Sequence, residues 1–292
     1  MKTLRKITGL MLALCLLCGL AISASASTFT DAHGNEIELD DTLEAYTGFV
    51  LNGADDAARK NETNLGDLWT DALRWFAVSG RINEYFEEDD VAAGNKEITV
   101  DADHIVALWN GGNLKADVAE GKFGAEQLAE VLPYPNTVAV SYLTGAQLLE
   151  QLEASSQGLP YSEATAAACA SFMQVSGLKY TVDTAKAYDK GEAYGESGNW
   201  FKAASLGRVT IEEVNGQPFD PESVYAVITS NANAKGGMDA SYVFKSVAAL
   251  EDEKTIVTTA VVRDVIWLYI TGELGSMIGE PYAETQSRIT LK

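Results

Sequence analysis

Residues 125–152 read AEQLAEVLPYPNTVAVSYLTGAQLLEQL, and the spacing of their apolar side chains changes twice. Apolar residues three and four apart predict a short helix over Ala125–Leu132, which the following proline ends. Alternating valine and alanine then predict a strand over Thr137–Leu143. Thr144 and Gln147 form a capping box, so a second helix with a leucine-rich buried face should begin there. Helix, strand and helix therefore follow one another with only short loops between them.

The same two patterns extend along the rest of the chain without a regular alternation of strand and helix. This arrangement favours an α+β fold, a mixed β-sheet packed with helices, over a doubly wound parallel sheet. The other predicted elements are a hairpin over Thr28–Leu39, a helix from Asn64 with an asparagine cap, strands over Asp101–Trp109, Leu178–Val182, Arg208–Val214, Tyr225–Thr229 and Ser287–Leu291, a long loop over Asp183–Gly207, and a last helix over Thr258–Leu274.

The N-terminus has the composition of an export signal. Three basic residues in the first six precede the apolar run Ile7–Ile22, and Ala24-Ser25-Ala26 supplies a cleavage site. A membrane anchor is the alternative, but the run is short for a span. We therefore expect a secreted or extracytoplasmic protein that loses residues 1–26. Residues 27–59 would form an N-terminal hairpin or arm, and residues 60–292 a single domain.

Charge and cysteine content exclude several classes of protein. The chain has 21 Lys and Arg against 42 Asp and Glu, a net charge of −21. Such a field repels polyphosphate backbones and anionic lipids, so neither a nucleic acid nor, after signal cleavage, a membrane is an expected partner. Only Cys169 lies outside the signal, so no intrachain disulfide is expected. Its place among the small residues 164–170 predicts a buried structural thiol.

The residues needed for a hydrolytic centre are scarce. The chain has two histidines, His33 in a predicted turn and His104 at the start of a predicted buried strand, and neither stands in a paired ligand motif. No Gly-x-Ser-x-Gly elbow precedes a helix, which argues against a Ser-His-Asp relay. We therefore predict no catalytic residue, no metal site and no cofactor in this chain.

Three polar loops remain, each at the end of a predicted strand or helix. The first contains Asn110, Gly111, Gly112 and Lys115. Its glycines let backbone amides approach a ligand, and the lysine supplies positive charge. Most Asn-Gly-Gly loops are only turns, so this loop predicts little by itself.

The second loop, Leu132–Asn136, contains two prolines that fix the backbone and hold Tyr134 beside the amide of Asn136. The third loop, Thr229–Asp239, contains Asn231 and runs from a strand through a glycine turn to an acid. Together the three loops supply an aromatic ring, amides and charges of both signs.

Taken in order, these loops and their flanking motifs resemble the C-terminal, substrate-recognition domain of the secreted 5'-nucleotidase and UDP-sugar hydrolase family. About 230 residues are covered, and the ordered set is specific although each piece is not. The matching segments are Glu62–Leu68 with Asp71–Arg74, the loops Asn110–Lys115 and Leu132–Asn136, Leu143–Leu149, Val175–Tyr180, and Arg288-Ile289.

The resemblance implies an α+β domain that grips a nucleotide while a separate metallophosphoesterase domain holds two metals and performs the hydrolysis. No counterpart of that catalytic domain is found in this sequence, in agreement with the histidine count. The three loops and the resemblance together give these candidate substrate-binding residues: Arg59, Asn110, Gly111, Gly112, Lys115, Tyr134, Asn136, Asn231 and Asp239.

Two positions depart from the family's pattern. Lys115 replaces an arginine, which keeps the charge but loses the forked geometry that grips an oxyanion with two hydrogen bonds. Ala232 stands where the family has the second aromatic of a ring sandwich around the base, and the loop residues Trp200 and Phe201 are candidates for a substitute ring.

Three functions are compatible with these residues. The first is a secreted protein that binds a nucleotide or nucleoside-like small molecule, has a role in nucleotide catabolism and does not cleave its ligand unaided. The second is a recognition subunit that completes the substrate site of a separately encoded metallophosphoesterase chain. The third is an interaction module that has kept the fold and lost the pocket.

Overall fold

The computed structural model of the chain describes residues 27–30, 36–39, 43–54, 56–88, 91, 97–195, 198–237, 240–250 and 254–292. The predicted export signal, His33 and Asp239 lie outside the described residues.

The strands are numbered in chain order. They are β1 Ser27–Thr30, β2 Glu36–Leu39, β3 Ala45–Thr47, β4 Ile105–Asn110, β5 Gly121–Phe123, β6 Thr137–Thr144, β7 Met173–Ser176, β8 Leu178–Val182, β9 Lys190–Tyr194, β10 Trp200–Ala203, β11 Val209–Val214, β12 Gln217–Pro218, β13 Val224–Ser230, β14 Thr255–Val261, β15 Met277–Ile278 and β16 Ile289–Leu291.

The helices are α1 Ala57–Lys60, α2 Asn64–Val78, α3 Ala125–Val131, α4 Gly145–Ser155, α5 Asn231–Ala234, α6 Tyr242–Ala248 and α7 Val262–Leu268. Tyr269–Glu273 extends α7 as a π-helical turn. Short 3₁₀ turns occur at Arg81–Tyr85, Ala102–His104, Gly111–Asn113, Ala168–Ser171 and Glu280–Tyr282. Within the described part of the chain, no helix is long and apolar enough to cross a membrane.

A five-stranded mixed sheet forms the centre of the fold, in the order β14-β6-β13-β4-β7. β13 runs parallel to β4, with Ile228 opposite Ala107. It runs antiparallel to β6, with Ser230 opposite Val138. Strand β4 is antiparallel to β7, and β14 is antiparallel to β6. A four-stranded sheet of order β12-β11-β8-β16, a three-stranded sheet of order β15-β3-β5 and the antiparallel pairs β1-β2 and β9-β10 complete the strand pairing.

The central sheet separates two apolar cores, because side chains alternate between its faces. Ile105, Ala107 and Trp109 of β4 enter the larger core, which contains α2 and α7. Val106 and Leu108 of the same strand enter the second core, which α4, α6 and the four-stranded sheet enclose. Both faces of the sheet are therefore buried, and this layered arrangement confirms the predicted α+β fold.

Several element boundaries differ from the sequence prediction. The helix at residue 64 is capped by Thr63, whose hydroxyl accepts from the Gly66 amide, so Asn64 is the first helical residue and not the cap. The predicted strand at 101–109 begins only at Ile105. His104 lies in a 3₁₀ turn and stacks on Tyr225, with ring centroids 5.4 Å apart, so it does not begin the strand.

The predicted last helix is wrong in its first turn. Residues 255–261 form an edge strand paired with β6, and the helix begins at Val262. Thr258, Thr259 and Val261 are β-branched, which favours a strand, and the sheet offers this segment backbone partners. The stretch 183–207, predicted as a long loop, contains the antiparallel pair β9 and β10.

Candidate functional site

A cleft of about 430 Å³ lies at one edge of the central sheet, where the three polar loops meet. Parallel pairing brings the carboxyl ends of β4 and β13 to this edge, and antiparallel pairing brings the start of β6 to the same edge. The loops that follow β4 and β13 and the loop that precedes β6 must therefore converge. The cleft is lined by Arg59, Gly112, Asn113, Lys115, Tyr134, Pro135, Asn136, Ala170 and Ala232.

The first loop turns tightly against two other segments. A side-chain carbon at Gly111 would lie 1.9 Å from the Ala58 carbonyl oxygen, and one at Gly112 would lie 2.7 Å from Ala170. Any larger residue would push apart the backbone segments that carry the cleft wall. The two glycines are therefore required by packing, because α1 and the 168–171 turn approach this loop directly.

Asn110 organises the loops from behind the cleft. The residue is fully buried, and its Oδ1 accepts from Asn113 Nδ2 at 3.0 Å and from Asn233 Nδ2 at 3.3 Å. These bonds join the loop after β4 to helix α5. Asn110 and Gly111 do not line the cleft, so the structure places them in its supporting wall, whereas the sequence predicted them as ligand contacts.

Tyr134 and Asn136 stand on the loop between α3 and β6. Tyr134 is 44% exposed, which leaves much of its surface available to a ligand. The Asn136 carbonyl accepts from the Val262 amide at 3.0 Å, which fixes the end of the loop and leaves the side-chain amide for other contacts. Asn231 Oδ1 accepts from the Thr137 amide at 3.3 Å, so Asn231 also connects loops and is not part of the lining.

Two cations border the cleft, and both are held by groups of the protein. Lys115 donates through Nζ to the Gly112 carbonyl, and the same atom lies 5.9 Å from the Tyr134 ring centroid. Arg59, in α1, places Nε 3.0 Å from Asp56 Oδ1. The cleft therefore presents positive charge that is already partly neutralised.

The third loop carries Ala232 into the cleft. Gly236 has the left-handed φ of 67°, and its carbonyl accepts from the hydroxyl of Tyr194 in the β9-β10 pair. This contact ties the hairpin to the loop that borders the cleft. Trp200 is buried in the second core, and Phe201 is contacted by Lys190, so neither predicted substitute ring lines the cleft.

Five of the predicted site residues meet in the cleft, and three residues of the lining were missed. Asn113 and Pro135 lie inside the predicted loops, and the residues next to them in sequence were the ones predicted to bind the ligand. Ala170 has no sequence signal, because it arrives from a distant 3₁₀ turn. The adjacent Cys169 is buried as predicted, and burial raises the pKa of its thiol.

Within the described residues, no group of three or more His, Cys, Asp or Glu side chains could hold a metal ion. The absence of a cofactor stays a prediction.

A family model described as the 5'-nucleotidase C-terminal domain matches residues 42–246. The chain belongs to this family. The resemblance inferred from the ordered motifs is thereby confirmed.

Relatives in the 5'-nucleotidase C-terminal domain family share limited identity with this chain. The trifunctional nucleotide phosphoesterase protein YfkN of Bacillus subtilis is 29% identical over 225 residues, which is 76% of this chain and 12% of that protein. The apyrase of Tabanus yao is 25% identical over 179 residues, 61% of this chain and 27% of that protein. The chain thus spans a small part of the length of these relatives.

Solved structures agree on the fold. The 5'-nucleotidase precursor from Thermus thermophilus has a TM-score of 0.60 at 25% identity, with 85% of this chain and 39% of that chain covered. The NAD nucleotidase of Haemophilus influenzae has a TM-score of 0.55 at 14% identity, with 91% and 48% covered, and shows the fold alone.

Proposed function

We propose that this protein binds a nucleotide or nucleoside-like ligand in the cleft between its three loops, as part of nucleotide catabolism, without cleaving that ligand unaided. The observation that carries this proposal is the meeting of Tyr134, Asn136, Arg59 and Lys115 around one cleft. An aromatic face, an amide and two cations match a base, its polar edge and the sugar or phosphate beyond it.

The size of the cleft supports this ligand class. Its volume of about 430 Å³ falls in the range of small-molecule pockets and suits a nucleoside or nucleotide. The Tyr134 ring would stack on the base, and the Asn136 amide would read the base edge through hydrogen bonds. Family membership adds support, because a relative is named a trifunctional nucleotide phosphoesterase.

Isothermal titration calorimetry with adenosine, AMP and UDP-glucose tests the proposal. Tyr134→Ala should weaken binding about tenfold to hundredfold, because one stacking face contributes about 1–3 kcal/mol. Tyr134→Phe is the matched control and should bind like the wild type, since it keeps the ring. An interaction module with a lost pocket would bind none of the three ligands at millimolar concentration, and Tyr134→Ala would change its stability at most.

The second candidate is a recognition subunit that completes the substrate site of a separate metallophosphoesterase chain. It is motivated by the name of a relative, a trifunctional nucleotide phosphoesterase, and by the absence of a metal-binding group of His, Cys, Asp or Glu among the described residues. Adding this chain to a metallophosphoesterase domain should then lower the KM for AMP hydrolysis. The Tyr134→Ala variant should leave that KM unchanged. Hydrolysis of AMP by the purified chain with divalent metal alone would contradict both candidates.

We further propose that the protein acts outside the cytoplasm. The support is the export signal read from the sequence, with cleavage after Ala26.

A further inference from the structure

Asp56 neutralises the arginine at the border of the cleft. Arg59 Nε and Asp56 Oδ1 are 3.0 Å apart, and the two side chains are only 23% and 35% exposed. The guanidinium also donates through Nη1 to the Ala166 carbonyl at 3.3 Å. A partly shielded ion pair is screened less by salt than one in open water, so its attraction persists at ordinary ionic strength.

Tyr161 holds the second oxygen of the same carboxylate. Its hydroxyl donates to Asp56 Oδ2 at 2.7 Å, and this hydrogen bond raises the pKa of Tyr161 to about 12. The Tyr161 ring is in turn covered by Lys60, whose Nζ lies 4.4 Å from the ring centroid. One carboxylate oxygen therefore contacts Arg59 and the other contacts Tyr161, which fixes the orientation of Asp56.

The backbone also selects the residue at this position. Asp56 precedes α1 with φ of 64° and ψ of 14°, in the left-handed region. Asp, Asn and Gly adopt this conformation most readily among the amino acids. The turn places the carboxylate three residues before Arg59, and this spacing brings the two side chains together at the start of the helix.

We propose that Asp56 is a specificity-determining residue that makes the cleft select a nucleoside, uncharged at its sugar end, over the corresponding phosphate ester. This inference rests on the proposed function of the cleft. A phosphate group that approached Arg59 would have to displace the Asp56 carboxylate or lie beside it, and like charges at that distance repel. Lys115 is the other cation that lines the cleft. Its single positive charge is smaller than the charge of about −1.5 to −2 that a phosphate ester carries at pH 7.

Asp56→Asn tests the inference, because asparagine keeps the size and the left-handed backbone preference and removes the charge. Calorimetry with adenosine and AMP measures the effect. In the wild type, adenosine should bind at least as tightly as AMP. In Asp56→Asn, adenosine affinity should stay unchanged while AMP affinity rises about tenfold, because Arg59 becomes available for a charge-assisted hydrogen bond to phosphate.

Two further variants separate the effect of the Asp56 charge from a change in net charge and from a loss of stability. Glu213→Gln removes one negative charge from the ion pair with Lys179 in the four-stranded sheet, and it should leave both affinities unchanged. Asp56→Gly also accepts a positive φ, so it supplies a second charge-free variant if Asp56→Asn lowers the melting temperature.

The outcomes distinguish this inference from the proposed function. Adenosine binding with an AMP affinity at least tenfold higher in the wild type overturns the role of Asp56 and leaves the cleft proposal intact. An equal rise in adenosine and AMP affinity in Asp56→Asn also overturns it. So does a rise in AMP affinity in Glu213→Gln that equals the rise in Asp56→Asn. If neither ligand binds any variant, the proposed function fails and the inference falls with it.

Discussion

At the scale of single residues, Ala232 is the position in the proposed ligand cleft where a second stacking ring could be introduced. It lines the same cleft as Tyr134 but offers one methyl group in place of a ring. Ala232→Phe should raise adenosine affinity about tenfold to hundredfold, since a second ring face contributes about 1–3 kcal/mol of stacking. Calorimetry measures the change directly.

Ala232→Leu separates stacking from bulk. Leucine adds apolar volume without a π face, so it should gain much less affinity than phenylalanine. Equal gains for the two variants would show that shape alone is responsible. If Ala232→Phe leaves adenosine affinity unchanged, Ala232 does not face the base, and the assignment of this wall of the cleft is wrong.

At the scale of elements, helix α2 and the C-terminal segment are joined by a buried charged network. Arg288 lies 2.8 Å from Asp71 and 3.6 Å from Asp67, and Glu62 accepts from the Arg288 amide at 3.0 Å. Asp67 is fully buried and accepts from the Gln286 amide at 3.0 Å. Two carboxylates thus share the Arg288 guanidinium and a third accepts from its backbone amide, so at least one of the three is costly to ionise.

Burial raises the pKa of Asp67 from 3.8 to about 8, with Glu62 and Asp71 adding to the rise and Arg288 opposing it. The folded state therefore holds a proton that the unfolded chain has lost between about pH 4 and pH 8. Because the folded state binds more protons in this window, this group's contribution to stability is present at low pH and lost as the pH rises through about 8.

Asp67→Asn isolates this effect, because an amide resembles the neutral acid. The variant should gain stability relative to the wild type as pH rises from about 5 to about 8, measured by urea unfolding at a series of pH values. Asp101→Asn, at an exposed aspartate, is the control and should show no such trend. A constant difference between Asp67→Asn and the wild type across the series contradicts the assignment.

How far the sequence predicts these elements depends on whether the signal is local. The capping box at Thr144 and Gln147 placed α4 correctly, and both of its hydrogen bonds are present. The start of α7 was wrong because the segment before it becomes a strand only by pairing with β6, a contact that periodicity does not reveal. The residue content of the loops predicted the cleft, whereas Ala170 enters it through a tertiary contact with no pattern of its own. Asp56 pairs with Arg59 locally, three residues along the chain, but its left-handed backbone gives no periodic signal.

At the scale of the whole molecule, the net charge of −21 opposes the approach of anionic ligands. The repulsion grows with ligand charge, so affinity should fall from adenosine to AMP to ADP, each measured without divalent metal. Salt screens the long-range field beyond about 10 Å at 0.1 M, while the partly buried contacts at Arg59 and Lys115 are screened less. Raising the ionic strength should therefore narrow the differences between the three affinities.

Adenosine is the internal control for this series, because a neutral ligand should respond little to salt. A narrowing that comes from tighter AMP and ADP binding at constant adenosine affinity identifies the field of the whole chain as the cause. If AMP and ADP instead bind more weakly as salt is added, while adenosine affinity stays constant, attraction by Arg59 and Lys115 outweighs the field. Asp56 would then neutralise Arg59 too little to exclude phosphate. The salt series therefore also tests whether the cleft prefers a nucleoside to its phosphate ester.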